Sequence, residues 1–246
     1  MSETVVVYGL HAVRVLLERH PDRVRQLWLQ QGREDARLAG IRALATERRI
    51  RIGSRTTAEL AGMAGEGVHQ GIVAEVEPPP PQTEDDLDDL VQIAGPEVLL
   101  LVLDGVQDPH NLGACLRCAD AAGVSAVVAP RDRAASLTPV VRKVAAGAAE
   151  TVPFIQVTNL SRTLRGLKEL GIWIVGAEGE AGKDLYEADL KGPLAIVVGA
   201  EGTGMRRLTR ESCDFTVRLP MRGVVESLNV SVATGILLYE ALRQRR

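Results

Sequence analysis

The sequence predicts an α/β protein in two parts: a small α/β domain over residues 1–77 and a larger domain over 97–246 built on a mainly parallel, doubly wound sheet. Three observations carry this. Apolar runs of strand length alternate with stretches of helical periodicity along most of the chain. Two of those runs, Val98–Leu103 and Leu194–Val198, are unbroken, as expected of parallel strands covered on both faces. Between the halves lies Pro78-Pro79-Pro80-Pro81, followed by the acidic stretch from Glu84, where consecutive prolines favour extended backbone and the acids stay solvated. Residues 78–96 therefore read as a linker with one short helical turn around Leu87–Ile93.

In the first part, Val5–Tyr8 reads as a strand, and Leu10, Val13, Leu16 and Leu17 form the apolar stripe of a helix. A strand at Leu27–Leu29, a helix over 35–48, a strand at Ile50–Ile52, a helix over Thr56–Met63 and a strand over Gly71–Val76 complete it. In the second, the strand at Val98–Leu103 leads into a helix from Asn111 to about Ala122. Then come a strand at Ala126–Ala129, a helix over 138–147, a strand at Val152–Gln156, a helix over Leu160–Leu170 and a strand at Ile172–Gly176. The buried strand Leu194–Val198, a short strand Phe215–Leu219 and a helix over Asn229–Arg243 close the pattern.

Composition narrows the function. The formal net charge is −3, an unpromising total for a nucleic-acid partner, but its distribution matters more. Residues 78–97 carry six acids and no base, so the segments on either side are close to neutral or slightly basic. That leaves room for a local basic face. No apolar run approaches the roughly 20 residues that span a bilayer, and the opening MSETVVVYGLHAV lacks the basic and apolar regions of an export signal; the expected compartment is the cytoplasm, with no membrane partner. Three cysteines do not make a disulfide framework. Cys115 and Cys118 form a lone C-x-x-C inside an expected helix with no second ligand pair, which reads as two small buried thiols, and no metal-ligand set is evident elsewhere.

Ligands of open parallel sheets sit beyond the carboxyl ends of the strands, and three such ends are unusual here. The first, Asp104 to Gly113, is a polar turn in which Asn111 stands where a helix cap would, with Arg117 one turn beyond Gly113 and able to lean back over it. The second, Gly199-Ala200-Glu201-Gly202-Thr203-Gly204, is a glycine-rich turn straight after a buried strand. It fails the dinucleotide fingerprint, because Arg207 occupies the third glycine's place and Glu201 would repel a pyrophosphate. The third, Leu219 to Gly235, gathers small and polar residues at the start of the last helix, which Ser227 or Asn229 can cap.

Taken together, YGLHAV, VHQGIVAEV, DGVQDPHNLGACLRCADAAGV, GAEGTGMRRLTRE and SLNVSVATGILLYEALRQ resemble, in order and over the whole chain, the SpoU/TrmH family of the SPOUT superfamily of RNA ribose 2′-O-methyltransferases. The resemblance implies a fold, α/β with a small L30e-like RNA-binding domain followed by a SPOUT catalytic domain containing a deep trefoil knot. It implies S-adenosylmethionine as cofactor, a homodimer, and a target guanosine in the peptidyl-transferase region of 23S rRNA. The alternatives are a tRNA substrate, or an RNA-binding protein that has lost catalysis. Residue by residue, it makes Asn111 and Arg117 the catalytic-motif residues. Gly199, Leu219 and Leu228 become cofactor contacts, completed by Glu201, Gly202, Met221, Ser227 and Asn229. Glu226 departs from the small residue that some relatives carry.

Overall fold

The structure is a computed structural model that describes residues 4–33, 35–65, 67–78 and 82–246. The chain order is β1 (Val5–Tyr8), α1 (Leu10–Arg19), β2 (Val24–Gln30), α2 (Ala36–Glu47), β3 (Ile52–Arg55), α3 (Thr57–Ala64), β4 (Ile72–Val76), α4 (Glu84–Ala94), β5 (Leu99–Asp104), α5 (Pro109–Ala122), β6 (Ala126–Pro130), α6 (Pro139–Val144), α7 (Ala148–Thr151), β7 (Phe154–Val157), α8 (Leu160–Glu169), β8 (Trp173–Ala177), β9 (Leu194–Gly199), α9 (Arg207–Glu211), β10 (Phe215–Val217) and α10 (Val230–Gln244). Two compact units result: residues 1–80 with 137–151, and residues 81–136 with 152–246.

The first unit carries a four-stranded mixed sheet in the order β1-β4-β2-β3, with only β2 and β3 parallel. Strand alternation sends Val7, Leu27, Leu29, Ile72 and Ala74 to one face, where they close a core with Val13, Leu16 and Leu17 of α1 and Leu38 and Ile41 of α2. Tyr8 and Val73 point the other way and meet Leu60 and Ala64 of α3.

A single helix over 138–147 was the expectation; two short ones form instead, and both belong to this first unit. The break falls at Ala146 and Gly147, whose φ values are +53° and +99°. At Gly147 a side chain would come within 2.8 Å of Val15 Cβ, so glycine permits both the turn and the close approach to α1. Beyond the turn, Glu150 is buried against two arginines, Arg142 by a hydrogen-bonded ion pair and Arg23 at 3.1 Å, while its carbonyl lies 2.9 Å from His20 Nε2.

The acidic stretch read as a linker also differs from expectation. It forms α4, three turns long, because Asp86 Oδ2 accepts from the Thr83 N–H and hydroxyl at 2.6 and 2.8 Å. Its acids crowd the first turn, where the helix dipole favours them, and Leu87 and Val91 enter the core of the second unit. Pro79–Pro81 lie outside the described residues.

The second unit holds a wholly parallel six-stranded sheet, ordered β10-β8-β9-β5-β6-β7. Every residue of β5 and β9 is buried. Leu160, Leu164 and Leu167 of α8 pack with α4 on the sheet core, and α10 lies on α5 and β9. Strand order reverses at β9 and β5, where register pairs Asp104 with Gly199, the last residue of each strand. The first two unusual loops therefore leave the sheet side by side, at the position where parallel sheets bind ligands. Among the described residues, no helix is long and apolar enough to cross a membrane.

On α10, the Glu240 carboxylate is almost wholly buried, and hydrogen bonds from Arg243, aided by Gln244, push its pKa down to about 2. A carboxylate whose folded pKa lies below its unfolded one stabilises the fold above the ordinary carboxylate range, and that stability is lost as pH falls. Thermal melting followed from pH 6 down to pH 2 should therefore show an acid-side decline, steepest below about pH 5, that is shallower in Glu240→Gln. Parallel curves for parent and variant would refute this.

Candidate active site

The first loop begins where the buried Asp104 ends β5. The next residue, Gly105, takes φ +85° and turns the chain off the sheet. Asp108, not Asn111, caps α5, its Oδ1 accepting the His110 N–H at 3.0 Å. The physical reason is Pro109, whose fixed φ and missing N–H suit the first helical position. Asn111 thus lies inside the first turn with its amide free for other partners: Nδ2 donates to Glu201 Oε2 at 3.2 Å, and Oδ1 accepts from Asn229 Nδ2 at 2.8 Å. Further along α5, Arg117 is exposed and, among the described residues, makes no hydrogen bond or ion pair.

The second loop is pinned at its neck. Ala200 and Gly204 exchange both backbone hydrogen bonds, at 3.1 and 2.9 Å, and Gly202 and Gly204 take φ values of +79° and +67°. A Cβ on Gly199 would overlap the backbone of Gly204 and Met205. Beneath the turn, Asp104 Oδ2 accepts the Arg206 N–H at 2.7 Å, and Oδ1 lies 3.3 Å from Arg206 Nε. The Arg206 guanidinium in turn donates to the Asp132 carbonyl at 3.3 Å, so one buried carboxylate and one arginine join the ends of β5, β6 and β9. No motif in the sequence marks Asp104 or Arg206 for this role. An acid closing a run of six apolar residues was the available signal.

In the third segment, Leu219 falls outside the strand expected for it, since β10 ends at Val217. Residues 219–229 form irregular backbone in which Leu219, Met221 and Leu228 are half-buried and Val224, Val225 and Ser227 are exposed. No backbone hydrogen bond among the described residues involves Leu219–Leu228. The cap of α10 is Asn229, whose Oδ1 accepts the Ser231 N–H at 2.9 Å and hydroxyl at 2.6 Å; Ser227 takes no part in it. The structure thus joins Asn111, Glu201 and Asn229 from the three segments into one chain of hydrogen bonds. It makes no such tie to Arg117, Met221 or Ser227. Both thiols of the C-x-x-C are directed at α10: Cys115 Sγ lies 3.6 Å from Thr234 Oγ1, and Cys118 Sγ 3.9 Å from the Ser231 carbonyl. Burial pushes the Cys115 thiol up to about 12.

Residues 98–239 match the SpoU rRNA Methylase family, and residues 6–82 match the description "RNA 2'-O ribose methyltransferase substrate binding". The chain belongs to the SpoU rRNA methylase family. Within the SpoU family, it is 59% identical over 245 residues to the 23S rRNA (guanosine-2'-O-)-methyltransferase RlmB of Pseudomonas aeruginosa, covering all of this chain and 98% of that one. To the RlmB of Escherichia coli it is 54% identical over 245 residues, covering the whole of both. The fold is that of solved SpoU methyltransferases. The crystal structure of AviRb from Streptomyces viridochromogenes superposes with a TM-score of 0.82 at 25% identity, covering 98% of this chain and 90% of that one. A second AviRb structure, in complex with AdoMet, gives 0.80 at 24%.

The clash at Gly199 allows a test that separates geometry from chemistry. Gly199→Ala forces backbone against backbone, an overpacking expected to cost about 1–3 kcal/mol and to move the Ala200–Gly204 turn. Gly202→Ala meets nothing within 4 Å and bears only the cost of a positive φ, about 1 kcal/mol. Calorimetric binding of AdoMet should weaken at least tenfold more in the first than in the second; equal losses would dissociate the turn from cofactor binding.

Proposed function

We propose that this protein transfers the methyl group of S-adenosylmethionine to the ribose 2′-hydroxyl of a guanosine in the peptidyl-transferase region of 23S rRNA. The full-length likeness to RlmB enzymes carries this reading, and the hydrogen-bonded chain Glu201–Asn111–Asn229 across the three loops supports it. The residues fit the cofactor. Free backbone N–H and C=O groups over Leu219–Leu228 suit the edge of an adenine. Half-buried Leu219, Met221 and Leu228 supply apolar walls, and Gly199, Glu201, Gly202, Ser227 and Asn229 complete the pocket.

When bound, S-adenosylmethionine supplies an electrophilic methyl group on a sulfonium. The protein holds the ribose in line with it, and such positioning alone lowers a barrier by about 7–11 kcal/mol. Arg117 stays a cation. Exposed and without a hydrogen-bond or ion-pair partner among the described residues, it binds the phosphate next to the target ribose and stabilises the charge developing on the 2′-oxygen. The hydroxyl proton would leave to that phosphate or to a water.

The finer features of the fold belong to the same reading. The first unit is an L30e-like RNA-binding domain, the second threads α10 through a trefoil knot, and the enzyme works as a cytoplasmic homodimer. The family match over residues 6–82 supports the first of these assignments, and the packing of α10 on α5 and β9 the second.

Mapping 2′-O-methyl groups on ribosomal and transfer RNA from cells with and without the protein tests the function. One 23S guanosine should lose its methyl group. A loss confined to tRNA would replace this reading with the tRNA enzyme, and no loss in either would remove methyl transfer.

A further inference from the structure

The first unit has an open cavity of about 460 Å³ lined by Trp28, Arg55, Glu59, Gly62, Met63 and Glu75, all from β2, β3, α3 and β4. It lies outside the three loops, and the methyl-transfer chemistry does not use it. The Trp28 ring lies against the sheet, since a Cβ on the neighbouring Gly53 would overlap it. Its Nε1 donates to Glu75 Oε1 at 2.9 Å, and the Arg55 guanidinium sits over the ring, 4.2 Å from its centroid. The indole is therefore fixed in place at the protein surface, so little side-chain order is lost when a ligand arrives. It packs against the small core of Tyr8, Leu60, Ala64 and Val73 yet remains half-buried.

The charges select the ligand. One cation faces two carboxylates, a balance that disfavours a phosphate. Glu75 Oε2 makes no hydrogen bond among the described residues and stands ready to accept one. Planar stacking surface beside a hydrogen-bond acceptor is how unpaired bases are held, and carboxylates take the exocyclic amino donors of bases.

We propose that this cavity binds one unpaired nucleobase bearing an exocyclic amino group, stacked on the Arg55–Trp28 pair with its amino edge on Glu75. The site reads a position of the substrate RNA away from the methylated ribose. It rests on the RNA-methyltransferase reading above and names one place where that RNA is recognised.

The protein has two tryptophans. Trp173 is well exposed, so Trp173→Phe leaves Trp28 as the sole tryptophan of the full chain, and its emission is read with excitation at the red edge of the indole band, where tyrosine does not absorb. Titration with CMP or GMP should quench it, with UMP clearly weaker and ribose 5-phosphate without effect, and Glu75→Gln should remove the advantage of CMP over UMP. Arg55→Ala should raise KM for ribosomal RNA about tenfold, the scale of one stacked base, with kcat unchanged. Absent quenching, equal quenching by ribose 5-phosphate, or an unchanged KM in Arg55→Ala would overturn the proposal. Failure of the enzymatic reading is distinct: the parent protein would then methylate no RNA at all.

Discussion

Arg117→Ala is expected to slow methyl transfer by about 10²–10³-fold, the effect of removing one preorganised group aimed at developing negative charge, while AdoMet still binds. Arg117 makes no hydrogen bond or ion pair among the described residues and is exposed, so the melting temperature should hold, as for surface substitutions far from special features. Single-turnover transfer of labelled methyl to an RNA fragment measures the step, and calorimetry checks the cofactor. Arg117→Lys carries the deciding information. A lysine keeps the charge and loses the planar fork, so partial activity is expected if the arginine acts electrostatically. A Lys variant that binds RNA and cofactor normally yet is inactive at every pH would mean that the guanidinium does something a charge cannot.

Glu150→Ala is expected to cost about 3–5 kcal/mol of stability, because it leaves buried cations without their countercharge. The Glu150 side chain is 1% exposed and that of Arg142 6%, and Arg23 sits beside them at 3.1 Å. The exposed pair Arg14–Glu18, at 2.9 Å, is the comparison: Glu18→Ala should cost under about 1 kcal/mol. Denaturant midpoints measure both. Similar losses in the two variants would show that burial of the Glu150 cluster confers no special stability.

Much of the second unit was legible because parallel strands buried on both faces write themselves as unbroken apolar runs; Val98–Leu103 and Leu194–Val198 meet β5 and β9 to within a residue. Two of the three loops could be read as neighbours only once register placed Asp104 against Gly199, a pairing that no local pattern encodes. The start of α5 was misread because Asn111 and Asp108 are both good caps, and Pro109 decides between them. The acidic stretch looked solvated because acids are interspersed with its apolar residues, yet Leu87 and Val91, spaced at i and i+4, suffice to dock a helix. The stretch from 137 to 151 could not be assigned to its unit at all. Its partners, Arg23, His20 and Val15, lie more than a hundred residues earlier, and burial of an ion pair at that separation leaves no local trace.

That last arrangement bears on the order in which the protein can mature. Translation delivers the N-terminus first, and domains tend to acquire structure as they leave the ribosome. Here the opening eighty residues emerge with a sheet and helices of their own but without residues 137–151, which complete their unit. Until Glu150 is synthesised, Arg23 waits without its acid. The earliest part of the chain is therefore among the parts that finish late, and a ribosome paused before codon 137 would hold a nascent half that still lacks the segment completing it.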